Sequence, residues 1–175
     1  MLAPQTGFLM MNVLLAGALA VAVVSDLRTR RVPNAVVVPV ALAGVLLAAA
    51  TSGWRGAAES LGGMVVGMAL LLPVWLAGGT GAGDVKLMGM VGALRGAEFA
   101  LFTLLFGAIA GGVMALAALA WRGAAHEVLG NVAAYLQRAV LLGAPGRVEP
   151  TSKSFRMSYA LALAVGAVGA AFYLG

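Results

Sequence analysis

Apolar residues dominate the chain in long, nearly uninterrupted runs, without the regular alternation of apolar and polar positions that a soluble domain shows. Six runs stand out, with approximate bounds at residues 7–25, 35–50, 61–77, 85–94, 99–121 and 157–174. Such runs are typical of helices in a lipid bilayer, where a helix satisfies its own backbone hydrogen bonds. The pattern therefore predicts an all-α membrane protein with six transmembrane helices in a single membrane-embedded domain over residues 1–175.

The fourth run is too short to cross a bilayer alone. Ten helical residues rise about 15 Å, half of the hydrocarbon core. Non-helical backbone at membrane depth is tolerated only against protein or a water-filled cavity, and the glycine-rich loop before this run is predicted to be such backbone. The second run follows Pro33, which is expected to break the preceding helix, and Asn34 is expected to be the N-cap of the next.

Basic residues indicate how the helices are oriented. With six spans and the N-terminus outside, the outer loops contain only Arg55 and Arg95. The inner loops contain the other basic residues that lie between runs, namely Arg28, Arg30, Arg31, Arg122, Arg138, Arg147, Lys153 and Arg156. This positive-inside bias predicts an external N-terminus and a cytoplasmic loop over about 122–155. Within that loop, residues 124–142 are predicted to form an amphipathic helix on the membrane surface.

Composition excludes several classes of function. Of the 175 residues, 62% are hydrophobic, 10% are charged and none is cysteine. The lack of cysteine excludes disulfides, thiolate zinc sites and cysteine nucleophiles. The net charge of +5 comes from residues beside apolar runs, which favours contact with anionic lipids over nucleic acid. The single histidine, His126, lies beside Glu127 and is too isolated to predict a catalytic triad or metal site.

The two aspartates, Asp26 and Asp84, are both predicted to lie at helix ends on the cytoplasmic side. A charged residue costs about 2.5–3.5 kcal/mol at the centre of a span, so such residues are candidates for function. Two neighbouring carboxyl groups do not readily both ionise, so one can accept a proton from water while the other polarises a peptide carbonyl. The alternative is structural: Asp26 pairs with Arg28 or Arg30, and Asp84 caps a helix or lies near Lys86.

The glycine-rich loop over residues 78–83 comes directly before Asp84. Glycine lets another backbone approach closely, which suits an extended substrate segment beside a catalytic carboxylate. Phosphate-binding loops do not fit the sequence. A Walker loop needs Gly-Lys-Ser/Thr, whereas Lys86 lies between Val85 and Leu87, and a dinucleotide fingerprint would need glycine at position 84 in a βαβ unit.

Two motifs resemble those of a known family. The sequence Gly81-Ala82-Gly83-Asp84, followed by Val85-Lys86-Leu87, is similar to the GxGD signature of type IV prepilin peptidases. The stretch from Asp26-Leu27-Arg28 to Val32-Pro33-Asn34 is similar to the second aspartate motif of that family. The resemblance implies a six-helix intramembrane aspartic protease.

The resemblance also assigns roles to individual residues. Asp26 and Asp84 would be the catalytic pair, and Gly81 and Gly83 would shape the loop or bind substrate. Lys86 is a further candidate for that second role. Its position two residues after Asp84, however, favours a side chain that turns away and snorkels along lipid.

The activity implied is removal of the short basic leader of type IV prepilins or pseudopilins at the cytoplasmic face of the bacterial inner membrane. Water would attack directly, with no metal or other cofactor, and the protein substrate and membrane lipid would be the partners. The chain resembles the short form that serves tight-adherence (Flp) pili, which lacks the cysteine-rich methylating region.

One position departs from the family pattern. The last helix of many relatives opens with Pro-Tyr, whereas this chain has Ser158-Tyr159, and Tyr159 is expected to be an interfacial anchor. Two other functions fit a small polytopic protein: a proton-coupled membrane transporter, and a non-catalytic subunit of pilus assembly. A cleavage assay separates them from a peptidase.

Overall fold

A computed structural model describes residues 4–122 and 158–174, which form four α-helices with no strand among them. Their bounds are α1 Pro4–Thr29, α2 Asn34–Leu76, α3 Ala82–Arg122 and α4 Tyr159–Leu174. The all-α prediction is therefore confirmed for the described residues. Three of these helices, α1 to α3, are long and apolar enough to cross a membrane, while α4 has 16 residues.

The chain divides into two compact units. The first contains residues 1–110 and α4, and every site discussed below lies within it. The described part of the second unit is the end of α3, residues 111–122. The predicted amphipathic helix over residues 124–142 and His126 lie outside the described residues.

One glycine interrupts the helical backbone in each of α2 and α3. Gly53 has φ 64° and ψ −149°, and Gly96 has φ 83° and ψ 175°. A Cβ on either residue would meet nothing within 4 Å, so the positive φ, and not a lack of space, requires glycine there. The breaks divide α2 into arms of residues 34–52 and 54–76, and α3 into arms of residues 82–95 and 97–122.

Contacts along the arms show their directions. The Lys86 side chain donates a hydrogen bond to Asn34, and a Cβ on Gly44 would lie 3.0 Å from the Leu94 side chain. The first contact joins the beginnings of the two arms, and the second joins positions about ten residues further along each arm. The first arms of α2 and α3 therefore run parallel. The start of α1 lies near the end of the first arm of α2, because a Cβ on Gly7 would touch Thr51. Thus α1 runs antiparallel to that arm.

The second arm of α2 runs the opposite way. A Cβ on Gly63 would overlap the Gly92 carbonyl, and a Cβ on Gly67 would overlap the Met88 carbonyl. This register is antiparallel to the first arm of α3, so the backbone of α2 reverses at Gly53. Glycines at these contacts allow close approach of helix backbones, as is common between helices in membranes.

A second reversal occurs at Gly96. The second arm of α3 packs antiparallel to α4, with Thr103 against Gly166 and Gly107 against Ala162. Because α4 begins beside the end of α1, the second arm of α3 runs back towards the aspartates. The described chain thus has six helical stretches that alternate in direction and coincide with the six predicted apolar runs.

The first arm of α3 is the most enclosed part of the described chain. All residues from 87 to 94 are buried, and the side chains of Leu87, Met88, Met90 and Val91 have no exposed surface. This arm begins at Ala82, so the prediction that the loop continues to Gly83 is wrong by two residues. Protein surrounds the arm, which explains why a short run can be so apolar.

At the end away from the aspartates, Arg95 joins α1 to α3. Its guanidinium carbon lies 4.6 Å from the centre of the Phe8 ring and 4.4 Å from that of Phe99. It also donates a hydrogen bond to the side chain of Asn12. The second break, at Gly96, follows this residue directly, so both glycine breaks lie at the end opposite the aspartates.

Candidate active site

Asp84 lies in the first turn of α3 and is 7% exposed. Its Oδ2 accepts a hydrogen bond from the Thr80 hydroxyl at 2.8 Å and from the Gly81 N–H at 3.2 Å. A carboxylate at the third helical position that reaches back to the N–H before the helix forms half of a capping box. The positive end of the helix dipole also favours it. Local helix chemistry therefore accounts for the position of Asp84.

Asp26 lies in the last turn of α1 and is partly buried. Its Oδ2 accepts a hydrogen bond from the hydroxyl of Ser158. The helix ends three residues later at Thr29, and the following residue, Arg30, has a left-handed backbone with φ 54°. A carboxylate at the C-terminal end faces the negative end of the helix dipole, which is unfavourable. Helix formation therefore does not account for the position of Asp26.

One cavity brings the two aspartates together. Its volume is about 330 Å³, at the small end of the range of ligand-binding pockets. The cavity lining is Asp26, Arg30, Arg31, Val32, Asn34, Gly81, Ala82, Gly83, Asp84 and Lys86.

The two glycines of the Gly81-Ala82-Gly83-Asp84 motif have different surroundings. Gly81 lines the cavity, and a Cβ there would lie 3.4 Å from Asp84 Oδ2, an ordinary contact. A Cβ on Gly83 would lie 3.0 Å from the Cβ of Val32, which is too close without a shift. Val32 belongs to the turn between α1 and α2. The close approach at Gly83 is therefore made by this chain's own Val32.

The structure corrects two expectations at the edge of the cavity. Asn34 is not an N-cap: α2 begins at Asn34 itself, and the capping residue is Pro33, which provides no side-chain hydrogen bond. Asn34 Oδ1 instead accepts a hydrogen bond from Lys86 Nζ at 3.2 Å. The expectation that Lys86 turns away towards lipid is therefore wrong, because its side chain lines the cavity.

Sequence reasoning missed Thr80 and Ser158. Thr80 is the only residue between α2 and α3, over residues 77–81, with a polar side chain, and that signal was available. Ser158 caps α4, because its Oγ accepts a hydrogen bond from the Leu161 N–H at 3.2 Å. The helix thus begins at Tyr159 without a proline. Tyr159 is 42% exposed and is not part of the cavity lining.

The fold and the site define a class: a helical membrane protein in which two carboxyl groups line one cavity, the arrangement of groups used in acid–base hydrolysis. The comparison with protein families is more specific. The chain belongs to the type IV leader peptidase family, whose sequence profile matches residues 13–116, more than half of the chain. The matched region contains both aspartates. No curated protein and no solved structure matches the chain.

Proposed function

We propose that the chain is an aspartic endopeptidase that removes the basic leader of type IV prepilins or pseudopilins. Asp26 and Asp84 are its catalytic pair. The observation that carries the proposal is that both aspartates line one cavity in a member of the type IV leader peptidase family.

In the proposed mechanism, one carboxylate takes a proton from water as the water oxygen attacks the scissile carbonyl carbon. The other aspartate, initially protonated, gives its proton to the carbonyl oxygen. The tetrahedral gem-diol then collapses. The first aspartate passes the proton it took from water to the amide nitrogen, the second takes a proton from a gem-diol hydroxyl, and the C–N bond breaks. A carboxylic acid and an amine leave, and the pair again has one carboxylate and one protonated aspartate. No covalent enzyme intermediate and no metal ion take part.

We further propose that the six helical stretches are embedded in the bacterial inner membrane with the N-terminus outside, and that the short first arm of α3 lies within the membrane, enclosed by the other stretches. The alternating directions put the two aspartates at the same end as Arg28, Arg30 and Arg31. At the other end, Arg55 follows the break at Gly53 and Arg95 precedes the break at Gly96. By the positive-inside rule, the aspartate end faces the cytoplasm, where a basic leader is accessible before secretion.

The test is cleavage of a co-expressed prepilin in membranes. Asp26→Asn and Asp84→Asn preserve size and polarity, and we expect each to abolish cleavage while the protein remains inserted in the membrane. Glu59→Gln is a matched control, because Glu59 lies near the opposite end and is exposed. Full processing by either aspartate variant would contradict the proposal.

Two further readouts test the alternatives. We expect EDTA to leave cleavage unchanged, because proton transfer between carboxyl groups and water does not involve a metal. A transporter would instead show solute flux in liposomes without peptide cleavage. A non-catalytic assembly subunit would still support pilus formation when its aspartates are replaced by asparagine.

A further inference from the structure

Two hydroxyl groups outside the proposed catalytic steps bond directly to the aspartates. Thr80 donates to Asp84 Oδ2 at 2.8 Å, and Ser158 donates to Asp26 Oδ2. We propose that Thr80 and Ser158 are positioning residues, each holding Oδ2 of one aspartate so that Oδ1 acts on the water or the peptide. This inference rests on the proposed function, because it assumes that the aspartates are catalytic.

A carboxyl group needs such a restraint, because its terminal torsion has broad energy minima and the group rotates readily. Catalysis is sensitive to displacements of about 1 Å at the reacting atoms. A hydrogen bond to an ionised carboxylate is short and stronger than one between neutral groups. One donor on each aspartate is therefore an effective way to fix which oxygen faces the cavity.

The serine hydroxyl has two separate partners. A hydroxyl offers one donor and two acceptor sites. As the N-cap of α4, Ser158 Oγ accepts the Leu161 N–H, which uses an acceptor site. Its single proton goes to Asp26, which lies on α1 and is 132 residues away in the sequence. Capping does not require this second bond, so the link to Asp26 is an additional function of the serine.

Thr80 has the corresponding position beside Asp84, where its hydroxyl donates to Oδ2. Capping of α3 is already provided by the Gly81 N–H bond to Asp84 Oδ2, and Thr80 adds a second donor to the same oxygen. Every other residue of the loop over 77–81 is glycine or alanine. A polar side chain thus occurs in this loop only at the position that contacts the carboxyl group.

The experiment uses variants that separate positioning from helix capping. Ser158→Gly removes the hydroxyl but keeps a residue that is favourable at the N-cap, and Thr80→Val removes the other hydroxyl with little change in shape. We expect each to lower kcat about 10- to 100-fold, the loss expected for one hydrogen bond to a charged group. KM should change by less than about twofold, since substrate contacts are unaltered.

Conservative variants and a matched control complete the design. Ser158→Thr and Thr80→Ser restore the donors and should restore most of kcat. Thr51→Val is the control, because the Thr51 hydroxyl donates to the Leu47 and Ala48 carbonyls of its own helix, at the opposite end. Thermal unfolding of every purified variant in detergent is measured beside the kinetics.

The outcomes distinguish this inference from the proposed function. If wild type fails to cleave, or if the asparagine variants cleave normally, the proposed function is wrong and the positioning roles fall with it. If those proteins behave as expected, wild-type kcat in both Ser158→Gly and Thr80→Val overturns the positioning roles alone. Losses confined to KM, or losses that the conservative variants do not reverse, also overturn them.

Discussion

Gly83→Ala adds a single methyl group at the most tightly packed point of the candidate site. The new Cβ would lie 3.0 Å from the Val32 Cβ and 3.4 Å from its Cγ2. Gly83 lies in the first turn of α3 and its φ is not positive, so alanine is compatible with the backbone. The effect of the substitution is therefore one of packing between two segments, not of backbone strain.

The size of the effect follows from these distances. Non-bonded carbon atoms approach to about 3.5–4.0 Å. A Cβ contact of 3.0 Å therefore requires the turn carrying Val32 to give by a few tenths of an ångström. The turn carrying Val32 follows α1, which contains Asp26. Gly83, on the other side of the contact, directly precedes Asp84. A shift between the two segments therefore moves one aspartate relative to the other. A misplacement of about 1 Å costs about 100-fold in rate, so a shift of about 0.3 Å is expected to cost about fourfold, or about 0.8 kcal/mol of transition-state stabilisation. We expect kcat to fall by this order.

The assay is leader cleavage by purified protein, with kcat and KM determined separately. Val32→Gly removes the two carbon atoms that the new methyl group meets, and leaves the backbone nitrogen of residue 32 at 3.6 Å, an ordinary contact. The double variant Val32→Gly, Gly83→Ala should therefore recover most of the lost kcat. Gly62→Ala is the matched control, because a Cβ on Gly62 meets nothing within 4 Å.

Two results would refute this reasoning. Wild-type kcat in Gly83→Ala would show that the turn yields without moving the aspartates. A rise in KM that Val32→Gly does not reverse would show that glycine is needed for close approach of the substrate backbone, as the sequence suggests. In that case glycine would still be required at position 83, but because of contact with the substrate and not with Val32.

The remaining predictions concern stability, measured by thermal unfolding in detergent. Gly63→Ala should lower the free energy of unfolding by about 1–3 kcal/mol, because its Cβ would overlap the Gly92 carbonyl of the facing helix. Gly62→Ala, whose Cβ would meet nothing within 4 Å, should be neutral or slightly stabilising. Equal effects of the two substitutions would contradict the helix register.

The hydrophobic pattern was sufficient to predict the helical stretches and the aspartate pair. Six apolar runs imply alternating directions, and counting runs from Asp26 to Asp84 puts both at one end. The pattern does not show that Gly53 and Gly96 alone make the reversals within continuous helices. A reversal depends on a positive φ at one residue, and the same chain has many glycines in helical conformation.

Side-chain partners were predicted less well, because they depend on contacts between distant parts of the chain. Asn34 before an apolar run is a common N-cap pattern, but the helix begins one residue earlier and frees its amide for Lys86. The contact between Ser158 and Asp26 joins the last described helix to the first. Periodicity within one helix carries no information about such a contact.

The two aspartates differ in how strongly their positions argue for function. Asp84 satisfies the local rules for the start of a helix, so its burial alone would be consistent with a capping role. Asp26 lies where a carboxylate opposes the helix dipole, so the local rules for a helix end do not explain its position. Its side chain instead lines the same cavity as Asp84 and accepts a hydrogen bond from Ser158. The case for a catalytic pair therefore rests more on Asp26 than on the glycine motif that first draws attention to Asp84.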